Sequence, residues 1–188
     1  NISGEEYFKI RKMKKLLAIL VMLTAINASA QWVQMNGISN ENNVISFCSI
    51  GNNIFAGTVG PSEGLYFSTN NGQTWVLHSL QGNYVGCLIY TNNIFFAGVW
   101  FDGVHKSTNN GNNWQSTPLN FAPVTSFASS GNTIYAGTSN SGIYSSTNNG
   151  TNWLKISPSN LFNDPEIIYS LYANTNVLLA GTWFNGVY

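Results

Sequence analysis

Three in-register eight-residue boxes, a constant step between their tryptophans, and short apolar runs set between turn residues predict an all-β fold. The architecture they imply is a β-propeller of four-stranded antiparallel blades, with about three complete blades and part of a fourth. The boxes read Ser68-Thr-Asn-Asn-Gly-Gln-Thr-Trp75, Ser107-Thr-Asn-Asn-Gly-Asn-Asn-Trp114 and Ser146-Thr-Asn-Asn-Gly-Thr-Asn-Trp153. Successive tryptophans lie 39 residues apart in both steps. A period near 40 is one blade.

The strands follow from what repeats around the boxes. Upstream apolar stretches at 44–50, 85–90, 124–128 and 167–172 read as strand a. Strand b ends at an Ala-Gly pair in each repeat: Ala56-Gly57, Ala97-Gly98, Ala136-Gly137 and Ala180-Gly181. Strand c is short, at 65–68, 104–107 and 143–146, and strand d opens on the box tryptophan. Strands a and b are nearly continuous in apolar or small residues, as expected of sheets covered on both faces. Their Ala-Gly pairs would let neighbouring blades approach closely. Blades are thus expected over 44–80, 84–119 and 124–157, with an incomplete one at 167–188. Residues 31–36 read like a strand d with no a, b or c before it, which suits a closing strand paired into another blade of the ring. The sequence therefore reads as a fragment whose partners include the remaining blades of its own chain.

The boxes resemble the Asp-box, or BNR repeat, with its pattern Ser-x-Asp-x-Gly-x-x-Trp. Ser68, Gly72 and Trp75 match it, as do Ser107, Gly111 and Trp114, and Ser146, Gly150 and Trp153. The aspartate position holds Asn70, Asn109 and Asn148 instead. The resemblance runs from about residue 31 to the C-terminus and implies a sialidase-, sortilin- or photosystem-assembly-factor-like propeller. In such propellers the box turn is part of the frame and lies on the face opposite the functional loops. Asparagine can take the aspartate's place, because its side-chain oxygen accepts backbone N–H bonds, though without charge assistance. The following Asn-Gly tolerates positive φ. An oxygen-rich turn offers the kind of ligand calcium takes, but these boxes carry no carboxylate, so the frame role is favoured. The sequence shows no metal-ligand spacing, and no cofactor is expected.

Composition points to export. Lys14-Lys15, the apolar run 16–26 and Asn27-Ala-Ser-Ala30 have the order of a signal peptide over 13–30, with residues 1–12 as an upstream segment. The run is too short to span a bilayer. Five of the seven basic residues precede Ala30. The remainder holds Lys106 and Lys155 against Glu41, Glu63, Asp102, Asp164 and Glu166, a formal −3, and no arginine. Without a basic patch, nucleic acid is a poor partner. Cys48 and Cys87 fall on strand a of consecutive blades. Aligned on Asn53 and Asn93 they are offset by one residue, which would point them to opposite faces. Export would permit a disulfide, while two buried free thiols is the favoured reading.

Function would sit on the b–c loops. These carry Glu63, Trp100, Phe101, Asp102, Trp183 and Phe184, and the d–a loops add Glu41, Asp164 and Glu166. Exposed aromatics beside carboxylates suit carbohydrate binding, and a carboxylate pair can serve glycoside cleavage. The competing reading packs Trp100 and Trp183 between blades, with Asp102 and Asn185 simply preceding a turn glycine. Two classes of function follow: a secreted, non-catalytic propeller binding glycan or protein, or a glycoside hydrolase of sialidase or xyloglucanase type. The sialidase form needs an arginine clamp for the substrate carboxylate, and residues 31–188 hold none. His78 and His105 read as ordinary strand residues. If the leader is cleaved after Ala30, mass spectrometry of the exported product will find Gln31 at its N-terminus. A product that retains 13–30 contradicts the secretory reading.

Overall fold

In a computed structural model, residues 34–157 and 167–188 are described. The upstream segment 1–12, the leader 13–30, Asp164, Glu166 and residues 31–33 of the expected closing strand lie outside them. Every named element is a strand. The first sheet contains β1 (Asn43–Ile50), β2 (Asn53–Val59), β3 (Leu65–Ser68) and β4 (Val76–Ser79). The second has β5 (Val85–Thr91), β6 (Ile94–Val99), β7 (Gly103–Ser107) and β8 (Gln115–Ser116). The third has β9 (Val124–Ser130), β10 (Thr133–Thr138), β11 (Ile143–Ser146) and β12 (Leu154–Lys155). β13 (Ile168–Ala173) and β14 (Leu178–Thr182) form a two-stranded fourth sheet. Each of the first three is an antiparallel meander in sequence order. The sheets are packed in succession through their first strands, β1 on β5, β5 on β9 and β9 on β13. That is the blade arrangement of a partial propeller.

The b strands run one or two residues past their Ala-Gly pairs, to Val59, Val99, Thr138 and Thr182. The glycine of each pair lies opposite Ser46, Cys87, Ser126 or Ser170 of strand a. A Cβ at Gly57 would come 2.5 Å from Ser46 Oγ and 2.6 Å from Val85 O of the next blade. At Gly98 it would strike Cys87 Sγ and come 3.0 Å from Val124 O. The small residue is what allows the inner strands to close up. Cys87 Sγ donates to Val124 O at 3.5 Å, and Ser126 Oγ to Ile168 O at 2.9 Å, each crossing to the following blade.

This register corrects the reading of the cysteines. The hairpin turns pair Ile50 with Asn53 and Thr91 with Ile94, so Asn53 corresponds to Ile94 rather than to Asn93. Cys48 and Cys87 are therefore two positions apart in the repeat and point to the same side of their sheets. Both are free thiols. Cys87 is buried, but Cys48 only partly so. Burial pushes both thiols above the ordinary range, Cys87 furthest.

The boxes build one turn three times. Asn71-Gly72, Asn110-Gly111 and Asn149-Gly150 all have positive φ, between 55° and 83°. They occupy the centre of a turn closed by bonds such as Gln73 N–H to Asn70 O at 3.3 Å. The turn lies within a longer c–d connection rather than forming a two-residue hairpin, since β3 ends at Ser68 and β4 starts at Val76. Ser68 Oγ accepts the Gly72 N–H at 2.9 Å and donates to Asn70 Oδ1 at 2.9 Å; Asn70 Oδ1 also accepts the Thr74 N–H at 3.0 Å. Ser107 with Asn109, and Ser146 with Asn148, repeat the pattern.

The tryptophan then reaches back to the preceding blade. Trp114 Nε1 donates to Ser79 Oγ at 3.0 Å, and Trp153 Nε1 to Thr117 Oγ1 at 3.2 Å. The turn carbonyls take part as well: Asn149 O accepts from Lys106 Nζ at 3.3 Å, and His78 Nε2 lies 3.3 Å from Asn110 O. Trp75 is met by the N-terminal segment. Its N–H donates to Asn36 O at 3.0 Å, and Asn36 bridges Thr74 in parallel. Asn36 follows Trp32 by four residues, as Ser79 follows Trp75.

Chemical denaturation tests the box as frame. Gly111 has φ +83°, and a Cβ there would come 3.3 Å from Leu65 of the preceding blade. Gly111→Val is expected to cost about 1–3 kcal/mol through backbone strain, and Trp114→Ala about 3 kcal/mol through lost packing. Variants that melt like the parent would show that the boxes do not hold the blades.

Candidate functional site

The b–c loops of the second and fourth sheets are near copies, Val99-Trp-Phe-Asp-Gly103 and Thr182-Trp-Phe-Asn-Gly186. Each is anchored to the residues leading into strand a of its own sheet: Trp100 N–H donates to Tyr84 O at 2.9 Å and Trp183 N–H to Ile167 O at 3.1 Å. Asp102 N–H closes the turn onto Val99 O at 3.2 Å, and Gly103 and Gly186 take the positive-φ positions that follow. The expectation that Asp102 and Asn185 precede a turn glycine thus agrees with the structure. Packing of the tryptophans between blades does not. Trp100 is 40% exposed, Trp183 55%, Phe101 79% and Phe184 78%. Phe101 and Phe184 stand largely in solvent, while the Trp100 indole lies partly covered over Gly86 of its own strand a.

Phe101 is the most strained of them, with φ +68°. A bulky side chain in the left-handed region costs about 1–3 kcal/mol, and burial does not offset it here. Its ring meets Tyr84 and Trp100 at centroid distances of 6.3 and 6.2 Å. On the fourth sheet Tyr169 lies 4.9 Å from Trp183, which in turn lies 5.8 Å from Phe184. Phe121, 65% exposed, adds a further ring against Tyr144 at 5.9 Å. Burial, with a hydrogen bond to Ser141 opposing it, holds the Tyr144 hydroxyl above the usual phenol range.

The carboxylates do not join this cluster. Asp102 Oδ2 pairs with Nε2 of His105 on β7 at 2.8 Å. Glu63 sits half-buried on the first sheet's b–c loop, where its carbonyl accepts the Gly82 N–H at 3.2 Å. The structure therefore brings Trp100 together with Phe101, and Trp183 with Phe184, while Glu63 stays apart. The box residues Ser68, Asn70, Gly72, Trp75 and their repeats are held in turns and between blades.

Sequence reasoning passed over two features. The Asp102–His105 pair joins the last residue of the b–c turn to the β7 strand that follows it. The second is a cavity of about 440 Å³ along the inner strands, walled in part by Trp100 and Tyr169. Among the described residues no cluster of histidine, cysteine or carboxylate could hold a metal ion, and no helix is long and apolar enough to cross a membrane.

No protein-family model matches this chain, and no curated protein does. Solved structures do. An ancestral GH74 enzyme aligns with TM-score 0.65 at 24% identity, over 84% of this chain and 24% of its own. The extracellular domain of the hybrid two-component system BT4673 from B. thetaiotaomicron aligns with TM-score 0.64 at 19% identity, over 82% of this chain and 21% of its own. YCF48 bound to D1 peptide aligns with TM-score 0.57 at 17% identity, over 81% and 58%. This chain spans less than two thirds of each. At these identities the likeness shows the shared propeller fold.

Relief of strain makes a direct test. Phe101→Asn should raise stability by about 1 kcal/mol, because asparagine tolerates positive φ. A loss of stability in thermal melts would mean that the Phe101 ring is held by packing.

Proposed function

We propose that this chain belongs to a secreted or cell-surface β-propeller of the Asp-box type, a non-catalytic scaffold that binds a glycan or protein through its b–c face. The observation that carries the reading is the exposed aromatic rim of the b–c loops: Trp100 and Phe101 on the second sheet, which has neighbouring sheets on both sides and where Phe101 takes φ +68°, with Trp183 and Phe184 at the same positions on the fourth. Evolved surfaces seldom keep such rings without a partner to cover them. The leader at 13–30 supports export, and the backbone bond from Trp75 N–H to Asn36 O, with the Asn36–Thr74 bridge, supports residues 31–36 as a closing strand.

The likeness to a GH74 enzyme favours a second reading, glycoside hydrolysis. Against it stands Asp102, engaged with His105 rather than opposed to a second carboxylate.

Titration of neutral oligosaccharides and of peptides against the parent and a Trp100→Ala, Trp183→Ala double variant tests the first reading. Binding to the parent that weakens at least tenfold in the variant, with little response to salt, supports it. Equal binding by both proteins removes the aromatic rim. Hydrolysis of a neutral β-glucan that disappears in Asp102→Asn would replace it with the second reading.

A further inference from the structure

Every first strand carries a β-bulge near its start. Pairing skips from Val44 to Ser46, from Val85 to Cys87 and from Ile168 to Ser170; in the third sheet Gly137 pairs with Ser126 and Thr138 with Val124. The extra residues are Ile45, Gly86, Thr125 and Tyr169, and all four line the 440 Å³ cavity. A bulge re-aims a side chain out of the regular pleat, and bulges cluster beside functional sites. Here the repeat spends its irregular residue, four times, on one space.

The occupants of those positions differ in a coordinated way. Gly86 has no side chain, and the Trp100 indole fills the place: a Cβ on Gly86 would come 2.8 Å from Trp100 Nε1. Tyr169 supplies its own ring, backed by Trp183 at 4.9 Å. Thr125 supplies a hydroxyl held by Ile168 O at 2.6 Å. Beside the bulges stand Ser46, Cys87, Ser126 and Ser170. Cys87 and Ser126 spend their hydrogens on the next blade, whereas Ser46 Oγ is buried without a hydrogen-bond partner.

The lining contains no Asp, Glu, Lys, Arg or His. A charged ligand would lose its hydration there with no opposite charge to meet it. What the wall offers is chiefly flat ring faces, since the Thr125 and Ser126 hydroxyls already donate to Ile168 O at 2.6 and 2.9 Å. Such a wall suits a pyranose, whose C–H faces stack on rings. Its volume lies within the ~300–1,000 Å³ of small-ligand sites.

We propose that this axial cavity is the binding pocket for a neutral oligosaccharide, gripped by the rings of Trp100 and Tyr169. This rests on the carbohydrate form of the b–c-face reading and names the place and chemistry of the bound residue.

Calorimetric titration with cellohexaose, maltohexaose and laminarihexaose, with oligogalacturonate as charged counterpart, tests it. The cavity variants are Tyr169→Ala and Gly86→Ala, the latter displacing the indole; the rim variants are Phe101→Asn and Phe184→Ala. Thermal melts confirm that each variant is folded, and Tyr169→Phe replaces Tyr169→Ala if that variant is not. At least one neutral hexamer is expected to bind, with affinity lost tenfold or more in both cavity variants, reduced by a smaller factor in the rim variants, and no uptake of oligogalacturonate. Affinity lost in the rim variants but kept in the cavity variants overturns the pocket and leaves the b–c face standing. Binding of a peptide without any hexamer overturns the carbohydrate assignment, and binding of neither ligand class removes both readings.

Discussion

The bond from the box serine to the glycine N–H two residues into the positive-φ region is the constraint on which the rest of this fold depends. Ser107 Oγ holds the Gly111 N–H at 2.9 Å and steers Asn109 Oδ1 onto the Asn113 N–H. With the turn so fixed, Trp114 has one place to go, against the preceding blade, where its indole finds Ser79. Strand register, blade spacing and the direction of each b–c loop follow from that placement. Neutral bonds carry it throughout, each contributing roughly 1 kcal/mol. Stability therefore comes from repetition rather than from any one strong contact, as in quasi-linear repeat proteins.

That division leaves the two ends of the blades with opposite chemistry. At the box end, side chains satisfy one another and positive φ falls mostly on Asn and Gly, where it costs little. At the b–c end, Phe101 takes φ +68° while its ring stays in solvent. Locally consistent sequence marks the frame, and a broken local rule marks the candidate site.

Much of the frame was legible in the sequence because the box is a local code. Ser, Asn, Gly and Trp at fixed spacing specify one turn, and the Ala-Gly pairs announce close approach of strands that Gly57 and Gly98 bear out through their nearest neighbours. The site was only partly legible. Trp100 and Phe101 could be placed on a loop, but their exposure depends on what the loop packs against, which apolar periodicity does not encode. The bulges at Ile45, Gly86, Thr125 and Tyr169 were invisible, since one extra residue in an apolar run leaves no compositional mark. The same blindness to single-residue register put Cys48 and Cys87 on opposite faces, when the hairpin pairing sets them on the same one.

The bulges also explain how a repeat with so little charge can build a site at all. With only Lys106 and Lys155 as cations after residue 30, this surface has little with which to hold an anionic ligand. Shape and ring faces remain, and these need side chains aimed off the regular pleat. An inner strand in perfect register would alternate its residues between the two blade interfaces and present little to the axis. One extra residue per strand breaks that alternation without disturbing the outer strands, where the boxes keep the blades in place. Gly86 shows the consequence most plainly: the bulge clears a space that the adjacent loop fills with Trp100, so frame and loop jointly make a wall that neither encodes alone.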